Sequence, residues 1–518
     1  MKDKESQVQG DLKIIFKSSL IMFFGIVISK LLTYSYKMII ARNLGPEMYG
    51  FFSLSLAIVS LFIFISALGL DAGVLRFIPL FRSKDEKEKS SYLFKSVLWF
   101  QLFMSLIFGT LLFFLSEYIS VNFFHNTGLI IFLKFFSIAV PINVLLTTML
   151  GTIKAYERIG WYSFIFNILQ NFVKVAALII FLFLGLKSGS VIFSYISSLL
   201  LSLILAYIIC KYIIREVFGK SNLSKEIKSK LFKEVFSYSW PLMFFALTFS
   251  ILYWTNSFVI GYFKTVSDVG FYDVAISISM LLAITPSLFI QLFFPLATKL
   301  YFKEKENLIV IQQLSKQIGK WVFIVNLPAA IMILVFPGAF INILFGKEYL
   351  IAENALRLLT LAFLFDSIMT ISSNLISVYG KTKLIFLDMI IAAAVNLFLS
   401  IFLTPRYGIT GAAISTTISF LILDLLFLFQ ARHYLSVIPL KRKMINIFLI
   451  SLIPTLIVIF IRRLLPQVNF FILAVLGIFY LLLYCLLIFY TKGLDKNDMI
   501  IISSITKKIN DFKKIFSK

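Results

Sequence analysis

Residues 190–210 read SVIFSYISSLLLSLILAYIIC, a stretch without a charged side chain. A helix needs about 20 apolar residues to cross the hydrocarbon layer of a membrane. The same pattern recurs on both sides of this stretch, and we predict an all-α polytopic membrane protein with about fourteen transmembrane helices. The predicted spans are 17–40, 50–80, 96–116, 128–150, 161–184, 190–210, 236–262, 269–298, 321–345, 350–378, 384–404, 409–431, 444–461 and 470–491.

The composition of the whole chain fits a lipid environment. Of 518 residues, 60% are hydrophobic and 14% are charged, whereas soluble domains have about 45–50% apolar and about 25% charged residues. These values exclude soluble, disordered and coiled-coil proteins. The net charge of +24 comes from basic residues between apolar runs, so we expect no nucleic-acid partner. Cys210 and Cys485 lie inside apolar runs and predict neither a disulfide nor a metal site.

The basic residues also predict the orientation of the chain. With the N-terminus in the cytoplasm, 36 of the 49 Lys and Arg residues fall in inside segments, seven in outside loops and six within spans. Each inside segment then has at least as many basic residues as either neighbouring outside loop, as the positive-inside rule requires. We predict a multi-pass protein of the cell membrane with both termini in the cytoplasm.

The spans are expected to form two pseudo-symmetric six-helix lobes followed by two further helices. Gly50-Phe51 aligns with Gly270-Phe271 at an offset of 220, and Gly185 aligns with Gly408 at an offset of 223. Such repeats are a common design in transporters. Two basic segments, a linker at 211–235 and a tail at 492–518, are expected to form helices on the inner leaflet. The predicted organisation is an N-tail at 1–16, lobes at 17–210 and 236–431, a linker at 211–235, two added helices within 444–491 and a tail at 492–518.

Two stretches near the N-terminus resemble a known family. ARNLGPEMYGFFSLSLAIV at 41–59 and SALGLDAGVLRFIPLF at 66–81 are similar to the first two spans of Wzx-type polysaccharide flippases. These belong to the multidrug/oligosaccharidyl-lipid/polysaccharide exporter superfamily. The resemblance implies a transporter of 12 or 14 spans in two six-helix lobes. It also implies that a polyprenyl-pyrophosphate-linked oligosaccharide is moved from the inner to the outer leaflet by alternating access, without ATP.

A pyrophosphate that crosses the membrane needs basic partners, because charge in the bilayer is costly and Lys and Arg bind phosphate. We therefore predict a cationic cavity that includes Lys30, Arg76, Lys174 and Arg357. Alternatives remain open. Arg76 can pair with Asp71, Arg357 can pair with Asp366 or extend to the surface, and Lys37 and Lys134 are close enough to span ends to reach the interface.

Other polar residues within the spans suggest two further roles. Asp366, Asp388 and Asp424 are candidates for coupling to H⁺ or Na⁺, with Asn396 as an added ligand, or for polar packing between helices. Asn167, Gln170 and Asn171 can hydrogen-bond sugar hydroxyls or tie helices together. We expect no other cofactor.

Three alternative functions remain: an antiporter, a membrane enzyme and a role within the glycan assembly machinery. A multidrug/cation antiporter of the same superfamily would have an acidic or neutral N-terminal cavity. A membrane glycan polymerase or transferase would need a large outside loop with catalytic residues, and the outside loops here are short. No catalytic motif is found, so we predict a transporter and not an enzyme. The expected partners are the lipid-linked oligosaccharide and membrane lipids; a role within the glycan assembly machinery is a further alternative.

Overall fold

The structure is a computed structural model that describes the backbone of residues 2–303, 307–465 and 468–491. Side chains are described from Met22 onward, except at 292, 294–296 and 299–308. The described chain is helical throughout and has no strand, so the predicted all-α class is confirmed. The helices are α1 (Lys2–Ala67), α2 (Leu70–Ser83), α3 (Lys87–Tyr118), α4 (Gly128–Ser137), α5 (Ala139–Ala155), α6 (Ile159–Ser163), α7 (Gln170–Phe183), α8 (Ser188–Tyr212), α9 (Lys225–Phe263), α10 (Val266–Ser279), α11 (Ile284–Lys303), α12 (Asn307–Val335), α13 (Pro337–Leu344), α14 (Glu353–Val378), α15 (Thr382–Leu435), α16 (Lys443–Leu464) and α17 (Phe470–Tyr490).

Twelve helical stretches of the described chain are long and apolar enough to cross a membrane. Two of them are broken by a glycine. Gly45 in α1 has φ 82° and ψ 178°, and Gly408 in α15 has φ 57° and ψ −138°. These are backbone conformations that favour glycine. The segment on each side of a break is long enough for the roughly 20 residues of a span, which accounts for the predicted fourteen.

Side-chain burial follows the pattern of a protein in lipid. Ser190, Ser194, Ser198 and Ser202 form a stripe along one face of α8 and are all fully buried, where α8 packs against α5 and α7. Small residues of this kind let helices approach closely in a membrane. Large apolar side chains such as Phe183 are exposed, as expected when the surrounding solvent is hydrocarbon.

The backbone supports the predicted internal repeat. Left-handed conformations recur at nearly the same offset: His125 and Gly346 are 221 residues apart, Glu157 and Gly380 are 223 apart, and Gly185 and Gly408 are 223 apart. The first two pairs combine a glycine with a residue that bears a side chain. The repeat is therefore visible in the turns even where residue types differ.

The aligned glycines of the repeat also contact each other. A Cβ atom on Gly270 would lie 2.5 Å from the Pro46 carbonyl oxygen and 3.2 Å from the Gly50 backbone nitrogen. A Cβ atom on Gly50 would collide with the carbonyl group of Val266. The two helices thus cross backbone to backbone at positions that the repeat makes equivalent.

The predicted linker helix does not exist as a separate element. Its basic residues from Lys225 to Lys233 form the first turns of α9, which continues without interruption to Phe263. The side chain of Ser224 caps this helix by accepting a hydrogen bond from the Ile227 amide. No glycine or proline follows until Pro241, so nothing ends the helix between the basic segment and the apolar one.

By contacts, the described residues form two units. The first contains Met1–Ile278, Leu344–Leu359 and Thr382–Leu423, and the second contains Ser279–Ile343, Thr360–Lys381 and Asp424–Lys518. The predicted division into lobes at 17–210 and 236–431 stays a prediction. In the second unit α16 and α17 pack on α12, where the Tyr484 hydroxyl donates to the Ile324 carbonyl oxygen at 3.2 Å. The predicted basic tail at 492–518 lies outside the described residues, and of the predicted N-tail at 1–16 only the backbone of α1 is described.

Candidate functional site

Three lysines of the first unit form a group that we call the lysine cluster: Lys30, Lys37 and Lys174. Lys30 and Lys37 are seven residues apart on α1 and so share a face of that helix. Lys174 lies on α7. Lys37 is within electrostatic range of both other lysines. The chain therefore places three like charges together in a segment that the sequence predicts to lie within the membrane.

Among the described residues, one member of the cluster has a carboxylate partner. Lys37 Nζ lies 2.9 Å from Asp273 Oδ2 and donates to Ser277 Oγ at 2.8 Å. The hydroxyl of Tyr49 also donates to Asp273 Oδ2, and Asp273 is buried. Lys37, for which the sequence left open that it reaches the interface, thus forms an ion pair with α10.

The other two lysines are without a carboxylate among the described residues. The Lys174 ammonium lies 5.6 Å from the ring centre of Tyr36 and 5.5 Å from that of Tyr195. Aromatic faces stabilise a cation but leave its hydrogen-bond donors free. Lys30 is exposed. The cluster thus has an excess of positive charge that an anionic ligand can neutralise.

The two predicted arginines have other neighbours. Arg76 is exposed, its guanidinium lies 4.1 Å from the ring centre of Tyr238, and it forms no ion pair with the described side chain of Asp71. Arg357 donates to Asn354 at 2.9 Å and lies 3.4 Å from the Glu353 carboxylate on its own helix. No described contact joins either arginine to the lysine cluster.

The predicted sugar-contact residues divide into two kinds. Asn171 ties α7 to α1, because its amide donates to Ser29 Oγ at 3.1 Å and accepts from Thr33 Oγ1 at 3.1 Å. Asn167 donates to the Ser163 hydroxyl at 3.1 Å. Gln170 lies one turn before Lys174, is half-buried, and makes no side-chain hydrogen bond with the described residues. Of the three, Gln170 has the most freedom to bind a ligand.

Two of the predicted acids lie together in the second unit. Asp424 is buried, and neither of its carboxylate oxygens has a hydrogen-bond partner among the described residues. Its charge interacts with that of Asp366, which accepts from the Thr370 hydroxyl at 3.4 Å. Asp388 is buried in the first unit. The half-buried Asp366 and the buried Asp424 therefore form an acid pair that can bind one proton or a cation.

A buried polar network was not expected from the sequence. Asn256 on α9 donates to Asn396 Oδ1 at 3.1 Å and to Thr416 Oγ1 at 2.7 Å, and it accepts from Ser400 at 2.8 Å. Tyr272 is hydrogen-bonded to Thr416 at 2.7 Å. Asn396, which the sequence grouped with the three acids, is thus part of a neutral network that joins α9, α10 and α15.

The burial of Lys320 was not expected from the sequence. Lys320 falls just before the predicted span 321–345, but it lies within α12 and is fully buried. The apolar run used to set the span boundary begins at Trp321, and hydropathy gives no sign that the preceding charge is buried.

The first unit also contains an open cavity of about 610 Å³ between α1, α2, α5, α8 and α9. Most of its lining is apolar. Asp71 at the start of α2 is the one charged residue that lines it among the described residues. The ring of Tyr195 lines the cavity and also contacts the Lys174 ammonium. The polar lining consists of Ser60, Asp71, Asn143, Thr147, Tyr195 and Trp254.

Comparison with known proteins gives both a family and a fold. Residues 15–301 match the sequence profile of a family described as "Polysaccharide biosynthesis protein". An uncharacterized membrane protein of Methanocaldococcus jannaschii is 26% identical over 494 residues, which cover 92% of this chain and 96% of that protein. A Shigella flexneri protein named as a candidate O-antigen transporter is 24% identical over 424 residues, 80% of this chain and 96% of that protein.

Among solved structures, the chain is similar to one described as "Lipid II flippase MurJ, inward closed conformation". The TM-score is 0.68 at 17% sequence identity, and the match covers 92% of this chain and 99% of the other. The similarity shows that the two chains share a fold.

Proposed function

Because this chain belongs to the polysaccharide biosynthesis protein family, we propose that it is a flippase for a polyprenyl-pyrophosphate-linked oligosaccharide. It moves this lipid from the inner to the outer leaflet by alternating access. The family, the shared fold with a lipid II flippase and the relative named as a candidate O-antigen transporter support a lipid-linked glycan as the substrate.

The lysine cluster is the observation that carries this proposal. A pyrophosphate in the membrane needs positive charge close by, because the low dielectric penalises an isolated anion. Lys30 and Lys174 have no described carboxylate, and Asp273 neutralises Lys37 alone. In this mechanism Lys174 and Lys30 neutralise the pyrophosphate while the polyprenyl tail stays in lipid.

Transport by a reconstituted protein tests the proposal. The probe is a fluorescent polyprenyl pyrophosphate that carries one N-acetylglucosamine, and its arrival in the opposite leaflet of vesicles is followed by dithionite quenching. Loss of one charge-assisted hydrogen bond costs about 1.5–3 kcal/mol, so Lys174→Gln and Lys30→Gln should each slow transport about 10- to 100-fold.

The matched control is Lys134→Gln. Lys134 also lies within a predicted span, but it contacts the ring of Phe113 and is outside the lysine cluster. This variant should keep the transport rate of the parent protein. Equal rates for Lys134→Gln, Lys30→Gln and Lys174→Gln would refute the role of the cluster.

The acid pair of Asp366 and Asp424 supports ion coupling as part of the same proposal. Two interacting carboxylates favour uptake of one proton or a cation, and the oxygens of Asp424 have no described hydrogen-bond partner that would compete. A proton or sodium gradient across the vesicle should therefore change the transport rate. Asp424→Asn should abolish that dependence while transport without a gradient persists.

The cavity favours a second candidate function, a multidrug/cation antiporter. Its largely apolar lining with Asp71 as the one described charge suits an apolar cation. The same vesicles distinguish the two functions. Gradient-driven uptake of ethidium, together with no movement of the glycolipid probe, would favour the antiporter.

A further inference from the structure

The cavity of the first unit contains polar groups that the protein itself does not use. The amide of Asn143 and the hydroxyl of Tyr195 form no side-chain hydrogen bond with any described residue, and Tyr195 is only 9% exposed. The indole N–H of Trp254 likewise has no described acceptor. The carboxylate of Asp71 lies in the first turn of α2 and forms no ion pair with a described base. The Asp71 carboxylate accepts hydrogen bonds from the backbone amides of Asp71 and Ala72. The side chains of Asn143, Tyr195 and Trp254 therefore line one space without a described hydrogen-bond partner.

These groups discriminate between the parts of a lipid-linked glycan. A polyprenyl tail would leave the polar atoms of Asn143, Tyr195 and Trp254 without hydrogen-bond partners, at a cost of about 1–3 kcal/mol for each group that it covers. A pyrophosphate would be repelled by Asp71. A sugar matches them, because its hydroxyls both donate and accept hydrogen bonds and its C–H face can cover the ring of Trp254. The volume of about 610 Å³ lies within the range of about 300–1,000 Å³ for small-molecule sites.

The position of Tyr195 connects the cavity to the lysine cluster. One tyrosine ring lines the cavity and lies 5.5 Å from the Lys174 ammonium. A pyrophosphate at Lys174 would therefore place its attached sugar at the cavity. The sugar would then lie next to the pyrophosphate, as it does in the substrate, where the pyrophosphate joins the glycan to the lipid.

We propose that the cavity is the glycan subsite, in which Asp71 and Asn143 hydrogen-bond the hydroxyls of the sugar next to the pyrophosphate and Trp254 covers its apolar face. The inference rests on the proposed function. It adds a recognition site on α2, α5 and α9 that is separate from the residues which neutralise the pyrophosphate.

Binding of two kinds of probe by the full chain in nanodiscs tests this subsite. One is polyprenyl pyrophosphate without a sugar, and the other is the same lipid with one N-acetylglucosamine, glucose or galactose. Asp71→Ala, Asn143→Ala and Trp254→Leu should weaken binding of the best glycosylated probe about 10-fold or more and leave the sugar-free probe unchanged. Trp254→Phe should restore part of the loss, and Trp161→Leu, at an exposed tryptophan outside the cavity, should change neither probe.

Each other outcome has a definite meaning. Equal weakening of both probes by the cavity variants would assign the cavity to the lipid tail and overturn the proposal. Unchanged binding of every glycosylated probe would overturn it as well. Lys174→Gln should weaken both probes, which separates the two sites. Failure of the parent protein to bind any probe would refute the proposed function, and the glycan subsite with it.

Discussion

Removal of the Asp273 carboxylate should destabilise the protein by leaving the Lys37 ammonium buried without its counter-charge. The two charged atoms are 2.9 Å apart, which at an effective dielectric constant of about 20 corresponds to a gross attraction of ~6 kcal/mol. Loss of one partner of a buried pair typically costs about 3–5 kcal/mol. The Lys37 side chain is 19% exposed and keeps Ser277 as an acceptor, so we expect the lower end, about 3 kcal/mol, for Asp273→Asn.

A double-mutant cycle in detergent micelles measures this energy. Asp273→Asn, Lys37→Met and the double variant are unfolded with sodium dodecyl sulfate, and the fluorescence of the five tryptophans reports the transition. A change of 3 kcal/mol shifts the ratio of folded to unfolded protein by about two powers of ten. The double variant should be more stable than the sum of the two single effects predicts, by about 2 kcal/mol or more. Additive effects, or an Asp273→Asn variant as stable as the parent, would refute the importance of this ion pair.

Three further perturbations test other parts of the structure. Gly270→Ala should lower stability by about 1–3 kcal/mol through overpacking. Gly160→Ala should leave stability unchanged, because the added Cβ meets nothing within 4 Å. Thermal unfolding of both variants tests this difference. Asn256→Leu should destabilise by about 2–4 kcal/mol, because it removes the three buried hydrogen bonds of Asn256 to Asn396, Ser400 and Thr416. Unchanged resistance to dodecyl sulfate would contradict the hydrogen-bonded network. Asp424→Asn should stabilise the protein by about 1 kcal/mol, since the charge next to Asp366 is removed; a loss of stability in the same titration would mean that the carboxylate is bound by a favourable partner.

The fold could be predicted from the sequence because the bilayer imposes simple rules on it. Apolar length alone located the spans, and glycine alignment at constant offset indicated the repeat. The second predicted span, 50–80, is nevertheless interrupted. Leu68 and Gly69 adopt left-handed conformations between α1 and α2. Hydropathy does not register such a break, because the apolar residues continue through it.

The candidate site could be predicted only in part, because hydropathy and spacing do not say which helix faces which. The sequence identified Lys30 and Lys174 as basic residues far from span ends, but it did not pair Lys37 with Asp273, which is 236 residues away. The burial of Lys320 and the convergence of Asp71, Asn143 and Trp254 depend on the same tertiary information. A search for opposite charges at similar depth in spans one and eight would have suggested the Lys37 ion pair.

The crossing at Gly50 and Gly270 has an evolutionary consequence. A contact between equivalent positions of two repeats is self-complementary, as in the two-fold interface of a homodimer. A half-length ancestor with a glycine at this position could have docked against a second copy of itself by the same crossing. After fusion into one polypeptide, each glycine would still be selected by the carbonyl group opposite it, long after the surrounding residues had diverged.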